Sequence, residues 1–363
     1  MSNNQPLSQG LPMRFRALCL LTIPAVAGAQ RQEYTLRGSD VGLYNIAGTL
    51  RVEGGPGDVV RVEVNRLGAD AGRLKVEVGP IKGRETLRVI YPEGRVVYSQ
   101  AGSGRHWGRT ITKLRVAENG TFNGECCGWR GDEVEVVSEG RGLDARADIR
   151  VIVPVGRSVD LNLAVGDATV SNVDGNVRLD VHAATVTTMH TRGRLELDTG
   201  SGDVQITDAE GEVMLDSGSG EVTVTGMKGR LLKMDTGSGG VGGSGIDVEQ
   251  LLLDTGSGRV LLRGVGAREL TADTGSGSVE IDLTSDVDRM SVDTGSGGIT
   301  IGVPSTLGAE LSIETGSGGI DVDVPMTVRR SERHYVSGSL GDGRGRMSIE
   351  TGSGRVRVRK TAG

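Results

Sequence analysis

The sequence predicts an all-β protein, a right-handed parallel β-solenoid (β-helix) of about ten or more coils of 18–21 residues, with a more irregular N-terminal β region. Three observations predict it: a motif that recurs at a nearly constant interval, apolar residues that alternate around that motif, and many glycines with few aromatic residues. Glycine supplies 60 of the 363 residues, whereas tyrosine, tryptophan and phenylalanine supply 5, 2 and 2. Because this glycine content has no strict three-residue period, collagen is excluded.

The recurring motif is Asp-Thr-Gly-Ser-Gly, in which Glu replaces Asp twice and Ser replaces Thr once. Successive copies begin 18, 19, 19, 19, 20, 21 and 36 residues apart. The copies start at Asp198, Asp216, Asp235, Asp254, Asp273, Asp293, Glu314 and Glu350. Two degenerate copies precede them, at Asn162 and Asp180. A fixed period of this size indicates a solenoid, in which each repeat packs only on its neighbours.

Apolar residues flank each motif at alternate positions. Leu195 and Leu197 precede one copy, and Val204 and Ile206 follow it. Since successive side chains of a strand point to opposite faces, each pair belongs on one face of a short strand. We therefore expect coils of two or three strands that stack in parallel, with Thr-Gly-Ser-Gly at one corner. At that corner the acidic side chain is expected to cap backbone N–H groups.

The chain divides into three parts in this interpretation. Residues 158–359 form the regular solenoid, and the interval of 36 residues predicts an inserted loop at 325–346. Residues 30–157 form the irregular region, either the first coils with long excursions or a separate β cap. The pattern of residues 45–53 is similar to that of 172–180, which predicts that Glu53 lies at the acidic corner of the first coil.

Residues 1–29 are predicted to be an export signal, with basic Arg14 and Arg16, an apolar stretch at 17–26 and small residues at 27–29. Export would place the protein in the periplasm, on the cell surface or outside the cell. After cleavage, no remaining segment has the roughly 18 consecutive apolar residues that indicate a spanning helix.

Two cysteines follow the signal, and they are adjacent, at Cys126 and Cys127. Exported proteins fold in oxidising compartments, where paired cysteines form disulfides. A disulfide between neighbours needs a strained ring, so this disulfide, a free pair and an intermolecular bond all stay open.

No catalytic or cofactor-binding residue is predicted. Like charges stacked at about 4.8 Å repel one another, and a cation would relieve that repulsion. The calcium candidates are Asp198, Asp216, Asp235, Asp254, Asp273 and Asp293. The basic and aromatic residues of the inserted loop form a candidate contact loop, namely Arg329, Arg330, Arg333, His334 and Tyr335. An acidic patch is expected from Glu280, Asp282, Asp321 and Asp323.

The repeated Asp/Glu-Thr-Gly-Ser-Gly before Val-x-Val, together with residues 147–154 and the export signal, resembles bacterial adhesin-like domains of unknown function. These glycine-rich domains are related to the head domains of auto-transporter adhesins. The resemblance covers most of residues 40–359. It implies a parallel β-solenoid in or outside the cell envelope, and it implies no catalytic residues.

We therefore expect a non-catalytic exported solenoid that serves as an adhesin-like binding or scaffold module of the cell envelope. Its partner would be an envelope protein or a glycan. The net charge of −6 argues against nucleic acid as the partner, because phosphate-backbone binders are basic. Two alternatives stay open: a carbohydrate-active β-helix enzyme (a polysaccharide lyase or hydrolase), and a periplasmic partner in envelope-stress sensing.

Overall fold

The computed structural model describes residues 30–99, 111–123 and 131–361. The all-β class is confirmed: these residues form 26 strands and one short 3-10 helix, Ala71–Arg73, and no helix among them is long and apolar enough to cross a membrane. The strands are β1 (Gln30–Leu36), β2 (Asp40–Gly54), β3 (Val60–Leu67), β4 (Lys75–Ile81), β5 (Arg84–Ile90), β6 (Arg95–Val97), β7 (Ile111–Val116), β8 (Asp132–Val137), β9 (Leu143–Asp144), β10 (Arg146–Val153), β11 (Arg157–Ser171), β12 (Asp174–Ser201), β13 (Val204–Ser219), β14 (Val222–Thr225), β15 (Lys228–Ser238), β16 (Val241–Thr255), β17 (Val260–Thr274), β18 (Val279–Leu283), β19 (Arg289–Thr294), β20 (Ile299–Val303), β21 (Ala309–Thr315), β22 (Ile320–Asp323), β23 (Thr327–Glu332), β24 (Tyr335–Leu340), β25 (Gly345–Thr351) and β26 (Val356–Lys360).

The strands of the repeats stack in parallel, in the register that the motif spacing predicts. Between β12 and β13 the partners are 18 residues apart, as in Val186 and Val204. Between β16 and β17 they are 19 apart, as in Leu251 and Leu270. Equivalent residues of neighbouring coils are therefore direct neighbours, which is the arrangement of a β-solenoid. The right-handed crossover stays a prediction from the general preference of parallel strands.

One hydrophobic core runs through the stack. Each coil points its alternate aliphatic residues inward; in one coil Leu251, Leu253, Val260 and Leu262 are at most 3% exposed. The same cluster extends from Leu36 in β1 to Val358 in β26, so the irregular N-terminal region shares the core of the repeats. Burial of one such side chain stabilises the fold by about 1.5–3 kcal/mol.

The first coil is built on β2, but not in the predicted phase. Tyr44 pairs with Asn162, and Asn162 pairs with Asp180, so Tyr44 occupies the acidic-corner position. Glu53 instead pairs with Ser171, half a coil away, and its predicted corner position is wrong. Each half of β2 has two buried aliphatic residues at alternate positions, Val41 and Leu43 in the first half and Leu50 and Val52 in the second. The pattern alone therefore cannot distinguish one face of the coil from the next.

The N-terminal end of the stack is covered on each face by a strand that pairs with β2 in parallel, followed by strands that pair antiparallel. On one face β10 lies against β2, β3 lies against β10, and β1 lies against β3. On the other face β5 lies against β2, and β4 completes a hairpin with β5. A small second sheet, in the order β7-β8-β6-β9, lies beside this end. A separate cluster that includes Phe122, Ile46 and Ala164 packs between the small sheet and the first coils.

The last coils do not stack in sequence order. Sequence order would place β21 and β22 directly against β19 and β20, but β25 and β26 lie between them. The segment predicted as an inserted loop at 325–346 contains the hairpin of β23 and β24, which we name the basic hairpin. Its β24 pairs antiparallel with β21 and covers the outer edge of that strand.

Candidate functional site

The acidic residues of the motif form a continuous line, which we name the carboxylate row. Each acidic side chain is paired in register with that of the next coil. In stacking order the row is Asp198, Asp216, Asp235, Asp254, Asp273, Asp293, Glu350 and Glu314. All are exposed except Asp235, which is half-buried. Burial, followed by repulsion from both neighbours in the row, raises the pKa of Asp216 and of Asp254, although Lys233 opposes this.

At five of the eight copies the corner beside the row is held by a threonine hydroxyl, and not by the acidic side chain as the sequence suggested. The equivalent hydroxyls of Ser217 and Thr236 have no hydrogen-bond partner. The residue after each acid is buried in every copy. The Thr294 hydroxyl accepts a hydrogen bond from the Gly297 N–H at 3.0 Å and donates one to the Gly277 carbonyl of the neighbouring coil at 3.2 Å. It therefore satisfies its own turn and joins two coils, and the carboxylate is left free for the surface.

The six calcium candidates, Asp198, Asp216, Asp235, Asp254, Asp273 and Asp293, all lie in the carboxylate row. They supply one carboxylate per coil. Across residues 30–99, 111–123 and 131–361, no group of three or more His, Cys, Asp or Glu is placed to hold a metal ion. A row of single carboxylates differs from the six to eight oxygen ligands that calcium takes in proteins.

A polar cleft of about 950 Å³ lies where the carboxylate row reaches the N-terminal end, and we name it the Asp180 cleft. Its floor is the outer face of β2, β11 and β12, and its walls are the β4–β5 turn, the loop before β2, and Asn123. The lining residues are Arg37, Gly38, Ser39, Asp40, Tyr44, Ile81, Lys82, Gly83, Arg84, Glu85, Thr86, Asn123, Asp160, Asn162, Arg178 and Asp180.

Opposite charges are paired within the cleft. The Arg84 guanidinium forms an ion pair with Asp40 at 2.9 Å and a second one with Asp160. Arg178 lies 3.6 Å from Glu196 on the next coil. The two pairs of Arg84 fix planar donor and acceptor groups in place between the wall and the floor.

Asp180 is the most perturbed carboxyl group of the cleft. The Asn123 side-chain amide donates a hydrogen bond of 2.7 Å to its Oδ1. Burial raises the pKa of Asp180 to about 7, with further increases from the charges of Asp198 and Asp160 and an opposing effect of Arg178. Strongly perturbed groups in clefts are candidates for functional sites. Burial also lowers the pKa of the neighbouring His182.

The cleft was not predicted, although the sequence carried a signal for it. At the corners that follow Tyr44, Asn162 and Asp180, the Thr-Gly-Ser-Gly pattern is lost. Ala164 stands where the motif has glycine, and it is buried under the small sheet. Phe122 packs edge-on against Tyr44 with ring centroids 5.5 Å apart and against His182 at 6.2 Å. The degenerate copies thus mark the coils that another element covers.

We expect Asp180→Asn to stabilise the protein at high pH. A folded-state pKa near 7 exceeds the unfolded value of about 3.9, so the folded state binds the proton more tightly. Below about pH 4 the carboxyl is protonated in both the folded and the unfolded state, so it does not destabilise the fold. As the pH rises from about 4 to 7, the unfolded state ionises more readily than the folded state, and the free energy of unfolding falls. The Asn variant cannot ionise and therefore lacks this effect. Since the group is partly exposed, we expect a gain of about 1–2 kcal/mol at pH 8 and almost none at pH 4.

Urea unfolding followed by circular dichroism at pH 4, 6 and 8 measures the difference. Glu249→Gln is the matched control, because Glu249 is an exposed acidic residue of a regular coil outside the row. Equal effects of Asp180→Asn at pH 4 and pH 8 would contradict the predicted linkage.

The candidate contact residues lie on the basic hairpin or its turn. Arg329 makes a two-oxygen ion pair with Glu310, and Arg330 pairs with Glu332 at 2.8 Å and lies 5.1 Å from the centroid of the Tyr335 ring. His334 accepts a hydrogen bond at its carbonyl from the Thr315 N–H. Arg333 is exposed at the turn. Several of these side chains therefore have partners within the chain, and their contact with another molecule stays a prediction.

The predicted acidic patch is wrong because β26 and the residue before it lie within the patch. They place three arginines among the four carboxylates. The ion pairs are Arg355–Asp321, Arg357–Asp323, Arg359–Glu280 and Arg359–Asp282, at 3.5, 2.7, 3.5 and 2.8 Å. The inserted strand turns the patch into a network of opposite charges. Cys126, Cys127 and the predicted export signal lie outside the described residues.

Comparison with known proteins gives one matching family profile and one similar crystal structure. The profile of the Toastrack DUF4097 family matches residues 145–359, which is more than half of the chain. No curated protein matches it. The crystal structure of "a putative cell adhesion protein from Clostridium sporogenes" aligns with 92% of this chain and 100% of its own, at 10% identity and a TM-score of 0.20. A TM-score of that size carries no argument about fold or function.

Proposed function

The chain belongs to the Toastrack DUF4097 family, and from that premise we propose that it is a non-catalytic exported β-solenoid, a binding or scaffold module of the bacterial cell envelope. One observation carries the proposal: the repeated motif builds an extended surface. Its threonines are buried in the corner and its acids stand one per coil along one face. A rigid stack with regularly spaced exposed groups suits contact with an extended partner.

Location and processing test this proposal. We expect the full chain, expressed in its own host cell, to lose the residues before about Gln30 and to fractionate with the envelope. Protease digestion of intact cells would favour a surface adhesin, whereas protection until permeabilisation would favour a periplasmic scaffold. An unprocessed chain in the cytoplasm would overturn the proposal.

A second candidate function, a carbohydrate-active enzyme, is favoured by a specific pair of carboxyl groups. Asp160 forms an ion pair with Arg84, whereas the pKa of nearby Asp180 is about 7. Glycosidases use two such groups, one as a proton donor and one as an ionised carboxylate. Turnover of envelope polysaccharides that survives repurification and is lost in Asp180→Asn would establish this function in place of the first.

A further inference from the structure

We infer that the Asp180 cleft binds an uncharged polyhydroxylated chain, that is, a neutral glycan. The inference rests on the proposed function and names the ligand class of one site on the module. It is carried by three features: compensated charges, an aromatic ring on the floor, and a second depression that shares two lining residues with the cleft.

The charges of the cleft are largely satisfied within the protein. Arg84 is shared by Asp40 and Asp160, and the Glu85 carboxylate accepts a hydrogen bond from a backbone N–H. A strongly cationic or anionic ligand would have to compete with these pairs. A hydroxyl group both donates and accepts. Sugar hydroxyls can therefore bond to the fixed arginine, amide and carboxylate groups without removing a counter-charge.

Tyr44 adds an apolar surface among these polar groups. Its half-buried ring lines the cleft and is held by the buried Phe122 at an interplanar angle of 82°. A ring with an apolar face and a polar tip can pack on the C–H face of a sugar while its neighbours bond to the hydroxyls. The whole chain has nine Tyr, Trp and Phe side chains, and two of them meet here, with Tyr44 in the cleft and the buried Phe122 behind it.

The cleft continues past Asp180 instead of ending there. Asn123 and Asp180 also border a second depression of about 570 Å³, with Thr112, His182 and Ser201 among its lining residues. Together, the row positions Tyr44, Asn162, Asp180 and Asp198 cross four stacked strand segments. Their span is roughly 14 Å at the usual interstrand spacing. This length fits several units of a linear chain better than a single small molecule.

Three classes of hexasaccharide test the inference by titration calorimetry with the mature protein at pH 6.0 and 150 mM salt. Chitohexaose and cellohexaose are neutral, the chitosan hexamer is cationic, and hexagalacturonate is anionic. We expect at least one neutral chain to bind, with an affinity that changes less than twofold at 500 mM salt.

Arg178→Ala should weaken this binding at least tenfold, because the side chain lies on the floor and is exposed enough to be removed without unfolding. Arg194→Ala is the matched control. Arg194 also approaches Glu196 at 3.6 Å, but it does not line either depression. Binding that is equally insensitive to both substitutions would place the glycan elsewhere and overturn the inference.

Other outcomes separate this inference from the proposed function. If neither neutral chain binds at 5 mM, or if the chitosan hexamer alone binds and is displaced by salt, the glycan inference fails. The binding or scaffold proposal then stands as long as the chain is processed and found in the envelope. A cytoplasmic, unprocessed chain would instead remove the proposed function, whatever the titrations give.

Discussion

Gly277→Ala should destabilise the solenoid by about 3–5 kcal/mol, since the added methyl group has no space. A Cβ at this position would lie 1.6 Å from the Gly258 carbonyl oxygen and 2.6 Å from its carbon. Both atoms belong to the backbone of the neighbouring coil, so no side-chain rotation can relieve the clash. The two coils would have to separate at the corner, and the 2.9 Å hydrogen bond from the Val260 N–H to the Ser278 carbonyl would be strained.

The same contact recurs along the stack, so the effect is a property of the repeat. Gly258, Gly297 and Gly354 would each place a Cβ within 1.8 Å of a glycine carbonyl oxygen in the adjacent coil. Gly72→Ala is the control, because apart from its two chain neighbours no residue has an atom within 4 Å of the place that the added methyl group would take. We expect it to change stability by less than about 0.5 kcal/mol.

Urea unfolding by circular dichroism gives the overall effect, and hydrogen exchange identifies the coils that lose protection. In a solenoid, each coil contacts only its neighbours, so the loss should centre on the coils next to Gly277. If the free energy of unfolding of Gly277→Ala lies within about 1 kcal/mol of the wild-type value, the close approach of the glycines does not determine the spacing of the coils.

The regular coils could be predicted from sequence because their contacts are local. A residue packs on its equivalent in the next coil, so the interval between Asp254 and Asp273 already defines the register of β16 and β17. Inward and outward faces follow from alternation, which is why Leu251 and Leu253 are buried as expected. The same logic predicted a corner at Thr-Gly-Ser-Gly. It did not distinguish the buried threonine from the exposed acid as the residue that holds the turn.

The rest depends on contacts that the repeat does not encode. The Asp180 cleft brings together Arg84, Asn123 and Asp160, which come from three separate segments, and no periodic pattern joins them. The stacking order of the last coils could not be predicted from the sequence either, because the coils are chemically equivalent. The segments Leu311-Ser-Ile-Glu-Thr of β21 and Met347-Ser-Ile-Glu-Thr of β25 differ at one residue, so the sequence does not tell which of them packs on β19. The interval of 36 residues showed that something was inserted, but not where the chain would return.

Removal of residues 345–363 should disrupt the coils on both sides of the gap. β25 pairs with β19 on one side and with β21 on the other, and β26 pairs in the same way with β20 and β22. The four side chains Met347, Ile349, Val356 and Val358 are fully buried. Their burial contributes about 6–12 kcal/mol before the entropy of ordering the segment is subtracted. Without β25 and β26, the edges of β19 and β20 and the edges of β21 and β22 lose their partner strands at the same time. Unpaired strand edges promote aggregation.

We therefore expect the truncated chain to lose hydrogen-exchange protection over residues 289–340 while the earlier coils keep theirs, because each coil depends on its neighbours alone. A synthetic peptide of residues 345–363 should restore this protection when it is added in trans. The same peptide with Gly354→Ala should not, since that Cβ would lie 1.8 Å from the Gly297 carbonyl oxygen. If the truncated chain is as protected as the full chain without peptide, β21 can dock directly on β19. Residues 345–363 would then not be needed to complete the stack. Their place between two earlier coils would reflect the order of folding and not a structural requirement.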